Sequence, residues 1–324
     1  MNKQTPARII TLTLNPALDQ TLYFPTFKVG EVNRVGEQRL DPGGKGINVA
    51  KVINNLGCAV GVTGFLGRDN ANNFETYFQL HQIDNHFITL DGATRVNVKI
   101  VDRASGQVTE LNFPGIKCRS SDLEQLKSVI GQFTTAAPIF VLSGSIPEGV
   151  PVGIYRELIE TLNSYGCKVF LDTSGAALAE GIKGQPFAIK PNVNELGQLL
   201  GHPSAQGSDL MGDKEILDAV EDLLAARISK VIVSLGEQGA LVADKTQRFL
   251  VRPPRVPVGS TVGAGDALVA GLVYGEALAW PLREQARWAT AVAAASVSQP
   301  GTQAGSIEAV KELLSLTSIE ELPR

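Results

Sequence analysis

The chain has 324 residues, 44% of them hydrophobic, enough apolar material for a large core in one domain or two. Its formal net charge is −4 and its basic residues are dispersed, so it lacks the electrostatic footprint of a nucleic-acid binder, and any cations that hold an anionic ligand must be local. Cys58, Cys118 and Cys167 are widely spaced without a C-x-x-C pair, so reduced thiols in a cytoplasmic setting are expected rather than a disulfide framework or a zinc cluster.

In chain order, the N-terminus carries no charged segment followed by an apolar one, and no signal peptide is expected. Residues 8–14 (RIITLTL), ended by Asn15-Pro16, predict a first buried strand. LDQTLYF and EVNRVGEQRLD, within 17–41, alternate apolar and polar residues and predict strands with one wet face. Gly43-Gly44-Lys45-Gly46 then opens a helix in which Ile47, Ala50 and Ile53 share a face and Gly57 is the stop. AVGVTGFLG predicts a strand, and NFETYFQLHQ the helix after it. TRVNVKIVD and VTELNFP flank Ala104-Ser105-Gly106-Gln107, a hairpin signal. Ser121-Asp122-Leu123-Glu124 reads as a capping box.

IFVLSG, VFLDTSG, FAIKPN and VIVSLG are short apolar runs, each leading toward a helical pattern. Such alternation argues for a parallel sheet covered by helices, with ligand groups at the strand C-termini. Helices are predicted at about 263–279, 283–298 and 306–316; the apolar stretch from Ala267 to Trp280 is broken by Gly271, Gly275 and Glu276 and is too short for a membrane span. The expected fold is one α/β domain over 1–324. Two insertions, about 17–41 and 94–114, would form a small β-sheet lid.

STVGAGDALVAG (260–271) is the strongest chemical signal. Three small residues, Gly263, Ala264 and Gly265, precede Asp266 at the start of a helix. Free N–H groups there attract anions, and small residues let a phosphate approach the backbone. A carboxylate beside such an anion hole can accept a hydroxyl proton during phosphoryl transfer. An ordinary first-turn aspartate is the plainer alternative, since the helix dipole favours it anyway. No Walker A loop, G-x-G-x-x-G fingerprint or nucleophilic Ser/His/Asp or Cys/His set is present. His81, His86 and His202 show no ligand spacing and read as surface residues.

STVGAGDALVAG closely resembles the C-terminal signature of the ribokinase-like, PfkB-type carbohydrate kinases, and DPGGKGINVAKVINNLG (41–57) resembles their N-terminal signature. ITLTLNPALDQT, GFLGRDN and TRVNVKI look like the phosphosugar branch of that family. The resemblance implies a three-layer fold and ATP- and Mg²⁺-dependent phosphorylation of a phosphorylated ketohexose, with fructose 1-phosphate preferred over fructose 6-phosphate and tagatose 6-phosphate. It makes Asp266 the base and Gly263, Ala264 and Gly265 the anion hole. Asp19, Gly43, Gly44 and Asn48 would hold the sugar, and Lys45, Arg95 and Arg34 the phosphate already on it.

Further along, Lys190, Asn192, Ser234, Gly236, Glu237, Gly239, Ser260 and Thr261 would line the nucleotide site. Glu195 would meet Mg²⁺ through water or phosphate, and Asp172 ends a core strand where a metal-associated acid could stand. Glu110 stands where one relative's pattern has a second lid arginine, an acid that would repel phosphate there. A homodimer through the lid is expected, without nucleic-acid or membrane partners. A non-catalytic sugar-phosphate sensor is the rival from another class; the presence of Asp266 together with Asn192 and Glu195 argues against it.

Overall fold

Short apolar runs build the strands of this protein and glycine-started or polar-capped segments build its helices. The computed structural model describes residues 9–136, 139–201 and 212–323; Arg8 and His202 lie outside the described residues. The strands are β1 Ile9–Thr13, β2 Ala17–Phe24, β3 Glu37–Gly43, β4 Val60–Gly67, β5 Asp84–Leu90, β6 Val96–Asp102, β7 Val108–Leu111, β8 Ile139–Ser143, β9 Lys168–Asp172, β10 Ala188–Ile189, β11 Lys230–Ser234, β12 Ala240–Asp244, β13 Arg248–Arg252 and β14 Ser318–Glu321. The helices are α1 Lys45–Asn55, α2 Asn72–Leu80, α3 Ser120–Gly131, α4 Ile154–Ser164, α5 Gly175–Ile182, α6 Val193–Leu199, α7 Asp213–Ala225, α8 Ala264–Ala277, α9 Leu282–Val297 and α10 Ile307–Leu316.

A sheet of ten strands has the order β14-β13-β12-β11-β10-β9-β8-β1-β4-β5. From β5 to β11 neighbouring strands are parallel, and β12, β13 and β14 close the sheet antiparallel. Alternate residues enter opposite layers: Ile9, Val62, Val141 and Ile232 join the core built with α1, α2, α8 and α9. Ile10, Phe140, Leu142 and Val231 join the core under α3, α4 and α7. Helices on both faces explain why β4 and β8 are buried throughout and read as unbroken apolar runs. The fold is therefore the three-layer α/β architecture expected. Strands β5, β13 and β14, at or next to the edges of the sheet, were not anticipated, since each mixes polar residues into a short run.

A separate sheet has the order β3-β2-β6-β7, with β2 and β6 parallel and the hairpin β6–β7 antiparallel. Its β3 begins only at Glu37, so the EVNRVG part of the expected strand is a loop. Asn33 accounts for this: its side chain accepts from Lys28 N at 2.8 Å and donates to the carbonyls of Lys28 and Glu31 at 2.7 and 3.0 Å, and such local bonds displace a ladder. The expected capping box at Ser121 also shifts. Helix α3 starts at Ser120, and Asp122, not Glu124, accepts from the backbone N–H of Arg119 at 2.7 Å.

Helix α8 runs back along the parallel strands, from their carboxyl ends to their amino ends. At its last turn the buried Glu276 accepts from Lys168 at 2.5 Å, from Lys230, and from Gln285 at 3.0 Å. Burial works against its charge, but these donors hold the Glu276 carboxyl below the usual carboxylate range. The resulting stability is present above the ordinary glutamate range and is lost as pH falls through the depressed value. Removing one partner of such a pair strands the others. Glu276→Ala should therefore lower stability by about 3 kcal/mol, measured by urea unfolding with Trp280 and Trp288 as fluorescent reporters; a change within about 0.5 kcal/mol would show that the network contributes nothing.

Candidate active site

The parallel register sets one row of groups at the carboxyl ends of the strands. Thr13 pairs with Ser143, and Ser143 with Asp172; Lys190 follows β10 directly and its N–H donates to Leu171 O at 3.2 Å. Two helices begin over this row. Helix α1 starts after Gly44, whose φ of 115° is closed to other residues without strain. A β-carbon on Gly46 would lie 2.5 Å from Thr13 Oγ1 and 2.7 Å from Leu12 O, so only glycine lets the helix press onto β1. Helix α8 starts after Gly263, at φ 81° in the left-handed region, with Thr302 packed beside it.

The first turns of these helices bring four charged groups together. Asn48 Nδ2 donates to Asp266 Oδ2 at 2.8 Å. Lys45 Nζ lies 2.9 Å and Lys190 Nζ 3.4 Å from the same oxygen, Asp172 Oδ1. Lys190 Nζ is also 3.5 Å from where a β-carbon on Gly265 would sit, so it faces the start of α8. Burial and then the negative Asp172 push the Asp266 carboxyl up to about 6, against the pull of Lys45, Asn48 and Lys190. Asp172 itself is lowered: burial opposes its charge, and Lys190 and Lys45 overcome burial. Lys45 is held above its ordinary value, because Asp172, Asp266 and Glu195 outweigh its own desolvation.

Asp172 was expected as a metal-associated acid. Its carboxylate meets two ammonium groups, Lys45 and Lys190, an arrangement set by the strand register and not visible in the sequence. Thr13 Oγ1, Asn48 Oδ1, Ser143 Oγ and Asp172 Oδ2 are buried without a hydrogen-bond partner among the described residues. Buried oxygens of this kind call for a polar ligand or water.

The small sheet supplies a polar ceiling. Register sets Asp41, Asp19 and Asn97 in one row, and Arg39, Thr21, Lys99 and Glu110 in the next. Asn97 Nδ2 donates to Asp19 Oδ1 at 3.4 Å, and Lys99 Nζ lies 3.5 Å from Asp19 Oδ2. A β-carbon on Gly43 would be 2.6 Å from that Asp19 oxygen, so the carboxylate rests on the glycine backbone. Lys51, pushed down to about 8 by burial, donates to Pro42 O and ties this end of β3 to α1. Arg39, paired with Asp41 at 2.6 Å, reaches Pro300 O at 3.4 Å and abuts Gly301, across from its own sheet.

Neither Asn97, Lys99 nor Lys51 was anticipated as a site group. The signal was present in TRVNVKI: Asn97 and Lys99 share one face at period two, and that face is buried. In the sequence the segment reads only as one strand of a hairpin, and here its polar residues are the covered side.

Other expected residues fall into different places. Arg95 is half-buried, and its Nε, Nη1 and Nη2 donate to the carbonyls of Pro16, Phe113 and Asn15 at 3.2, 3.0 and 3.0 Å. Its burial lowers its pKa, with Asp19 opposing the shift. Arg34 is exposed in the connection before β3, and no hydrogen bond or ion pair joins it to the cluster. Asn192 and Glu195 cap α6 reciprocally: Asn192 N donates to Glu195 Oε2 at 2.9 Å and Glu195 N to Asn192 Oδ1 at 2.8 Å.

Beside this cap, Asn192 bridges to Ser234, whose N–H donates to Pro191 O at 3.0 Å. The connection from β11 to β12 contains Gly236, the exposed Glu237 and Gly239; a β-carbon on Gly239 would lie 1.9 Å from Val251 O. Ser260 and Thr261 form the turn into α8: Ser260 Oγ accepts from Val262 N at 3.2 Å, and Thr261 O from Ala264 N at 3.3 Å. His81 is exposed as expected, whereas His86 is half-buried, pairing with Asp84 at 2.8 Å and meeting Phe133 edge-on.

With this geometry in hand, three comparisons bear on the chain. The family model described as pfkB family carbohydrate kinase matches residues 12–309. A 1-phosphofructokinase of Rhodobacter capsulatus is 40% identical over 317 residues, covering 98% of each chain, and one of Vibrio cholerae is 39% identical over 306 residues, covering 94% of each. The solved structure of phosphofructokinase-2 from Escherichia coli matches with a TM-score of 0.89 at 28% identity, over 96% of this chain and 99% of that one.

The Asn48 bond favours ionised Asp266, so Asn48→Ala should raise the Asp266 titration above its value of about 6. Carboxyl ¹³C shifts of selectively labelled aspartate, assigned against Asp266→Asn, measure this directly; an unmoved midpoint would show that the bond does not bear on the charge.

Proposed function

This chain belongs to the pfkB family of carbohydrate kinases, and from that premise we propose that it transfers the γ-phosphoryl group of ATP to fructose 1-phosphate, giving fructose 1,6-bisphosphate. The observation that carries the chemistry is the Asp266 carboxylate, buried in the first turn of α8 and held by Asn48 from the other signature helix. A hydroxyl brought to it would lose its proton to Asp266 as the new O–P bond forms. The N–H groups of the Gly263–Asp266 turn and the Lys190 ammonium would face the transferring group, a donor set suited to charge spread over phosphoryl oxygens. The names of relatives about 40% identical favour fructose 1-phosphate as the acceptor.

Asp19, on the Gly43 backbone, offers an acceptor for sugar hydroxyls, and Lys99 and Arg95, the cations beside Asp19, would receive the phosphate that the sugar already carries. The Ser234–Gly239 connection and the Ser260–Thr261 turn suit the nucleotide. The unpartnered oxygens and the pair of lysines fit a polyphosphate. Glu195 fits Mg²⁺ through water, since its Oε2 is engaged by Asn192 N and Mg²⁺ characteristically keeps most of its waters. When bound, Mg²⁺ would neutralise phosphate charge.

The small sheet serves in this reading as a lid that excludes water, which otherwise competes for the phosphoryl group. Its outer face carries apolar side chains: Leu40, Val98 and Leu111 share one register row, with Leu40 and Leu111 exposed, as is Phe113 just beyond. Two copies pairing through these faces would cover them, and we assign the chain as a lid-to-lid homodimer. Sedimentation at micromolar concentration tests this, and a monomer overturns it. Unpaired Cys58, Cys118 and Cys167, all buried, fit a reducing, cytoplasmic setting.

Measuring kcat/KM for fructose 1-phosphate, fructose 6-phosphate and tagatose 6-phosphate side by side tests the substrate; preference for either of the latter two overturns the assignment, and absence of ADP release with all three makes the protein a sensor. Asp266→Asn should lower kcat at least about 10²-fold with substrate affinity little changed; near-normal kcat removes Asp266 from the role. Because a base must be deprotonated, kcat should fall as pH drops below about 6.

A further inference from the structure

Lys45 belongs to the helix that would hold the sugar, and Lys190 to the strand end beside the nucleotide segments. Asp172 is the residue that both of them meet. Its Oδ1 receives both ammonium groups, at 2.9 and 3.4 Å, and the residue is 2% exposed. It closes β9 in register with Ser143, so its backbone is fixed by the sheet on both sides: Gly144 N donates to its carbonyl at 3.0 Å, and Lys190 N to the carbonyl of the preceding Leu171 at 3.2 Å.

Resting on the kinase reading above, we propose that Asp172 is a positioning residue that locks Lys45 and Lys190 into one pair, so that the cation of the sugar half and the cation of the nucleotide half meet the transferring phosphoryl group as a unit. Two ammonium groups left to themselves repel, and long side chains wander; a shared buried carboxylate removes both problems before substrate arrives. Asp172 also bears on the base. The groups facing Asp266 are Asp172 from β9, Lys45 and Asn48 from α1, and Lys190 from β10. Asp172 is the negative one among them, and its charge opposes ionisation of Asp266. The same side chain thus gathers the positive charge and keeps the base from being too weakly basic.

Asp172→Asn keeps the shape and removes the charge. We expect kcat to fall about 10-fold to 10²-fold, within the range for a displaced catalytic group, with smaller changes in KM. We also expect the Asp266 midpoint, read by carboxyl ¹³C shifts in the ligand-free protein, to move down by about one unit. The acid limb of the kcat profile should move with it. A merely structural role would lower the melting temperature and leave the Asp266 midpoint in place, and that result, or an unchanged kcat in the folded variant, overturns the proposal.

Should Asp172→Asn not fold, Lys45→Met tests the other end of the pair: with one cation gone, the Asp266 midpoint should rise, and an unmoved midpoint sinks the idea. Since the carboxyl titration needs no turnover, its failure is separable from failure of the fructose 1-phosphate assignment, which only the kinetic comparison reads.

Discussion

A charge taken out of water must find its opposite, and at the carboxyl ends of β8, β9 and β10 this requirement organises everything around it. Asp172 is fully enclosed and carries two ammonium groups on one oxygen; it offsets their charge in the cleft, and they hold it ionised against its burial. With Asp266 added, the cluster holds two positive and two negative groups, so it is close to neutral as it stands. The helices α1 and α8 deliver one partner each, and both reach their places because glycines open them, at Gly44 and Gly263. The site is therefore a consequence of helix starts and strand ends meeting over one buried anion.

The small sheet obeys an inverted pattern. Its covered face carries Asp19, Thr21, Asn97 and Lys99, while leucine and valine side chains look outward. In an isolated two-layer protein this arrangement would be a fault, since the apolar face should be the hidden one. Over a cleft built for a polar ligand, the cost is offset by what enters the cleft, and on the other side by whatever covers the exposed apolar face.

This inversion also marks where the sequence was readable. Parallel strands of the main sheet are buried on both faces, so their apolar runs announced β8, β9, β10 and β11 without ambiguity, and the long periodic segments announced α8, α9 and α10. The edge strands β5 and β14 were silent because solvent tolerates any residue along an edge, and β13, next to that edge, brackets its apolar residues with Arg248 and Arg252. Asp266, Asn48, Lys45 and Lys190 were legible as site residues because they sit in distinctive glycine-bounded segments. Their mutual arrangement was not, since the link among them runs through Asp172, more than a hundred residues from Lys45, and only the strand register brings it there. Lys99 and Asn97 were hidden because the sequence marks their strand only as part of a hairpin, not which of its faces is covered. Asn33 broke a strand by bonding its own neighbours, a competition that alternation counts do not see.

Helix α8 carries Asp266 at one end and Glu276 at the other. They lie ten residues apart on a rod that rises about 1.5 Å per residue, roughly 15 Å in all. Lys168, Lys230 and Gln285 clamp the foot of that rod against the amino ends of β9 and β11. Strand β9 runs from Lys168 at the foot to Asp172 at the tip. The distance between Asp266 and Asp172 is thus framed like the top of a ladder, by two stiff rails bolted together at the bottom, and the placement of that pair is set in part by contacts at the opposite ends of the strands.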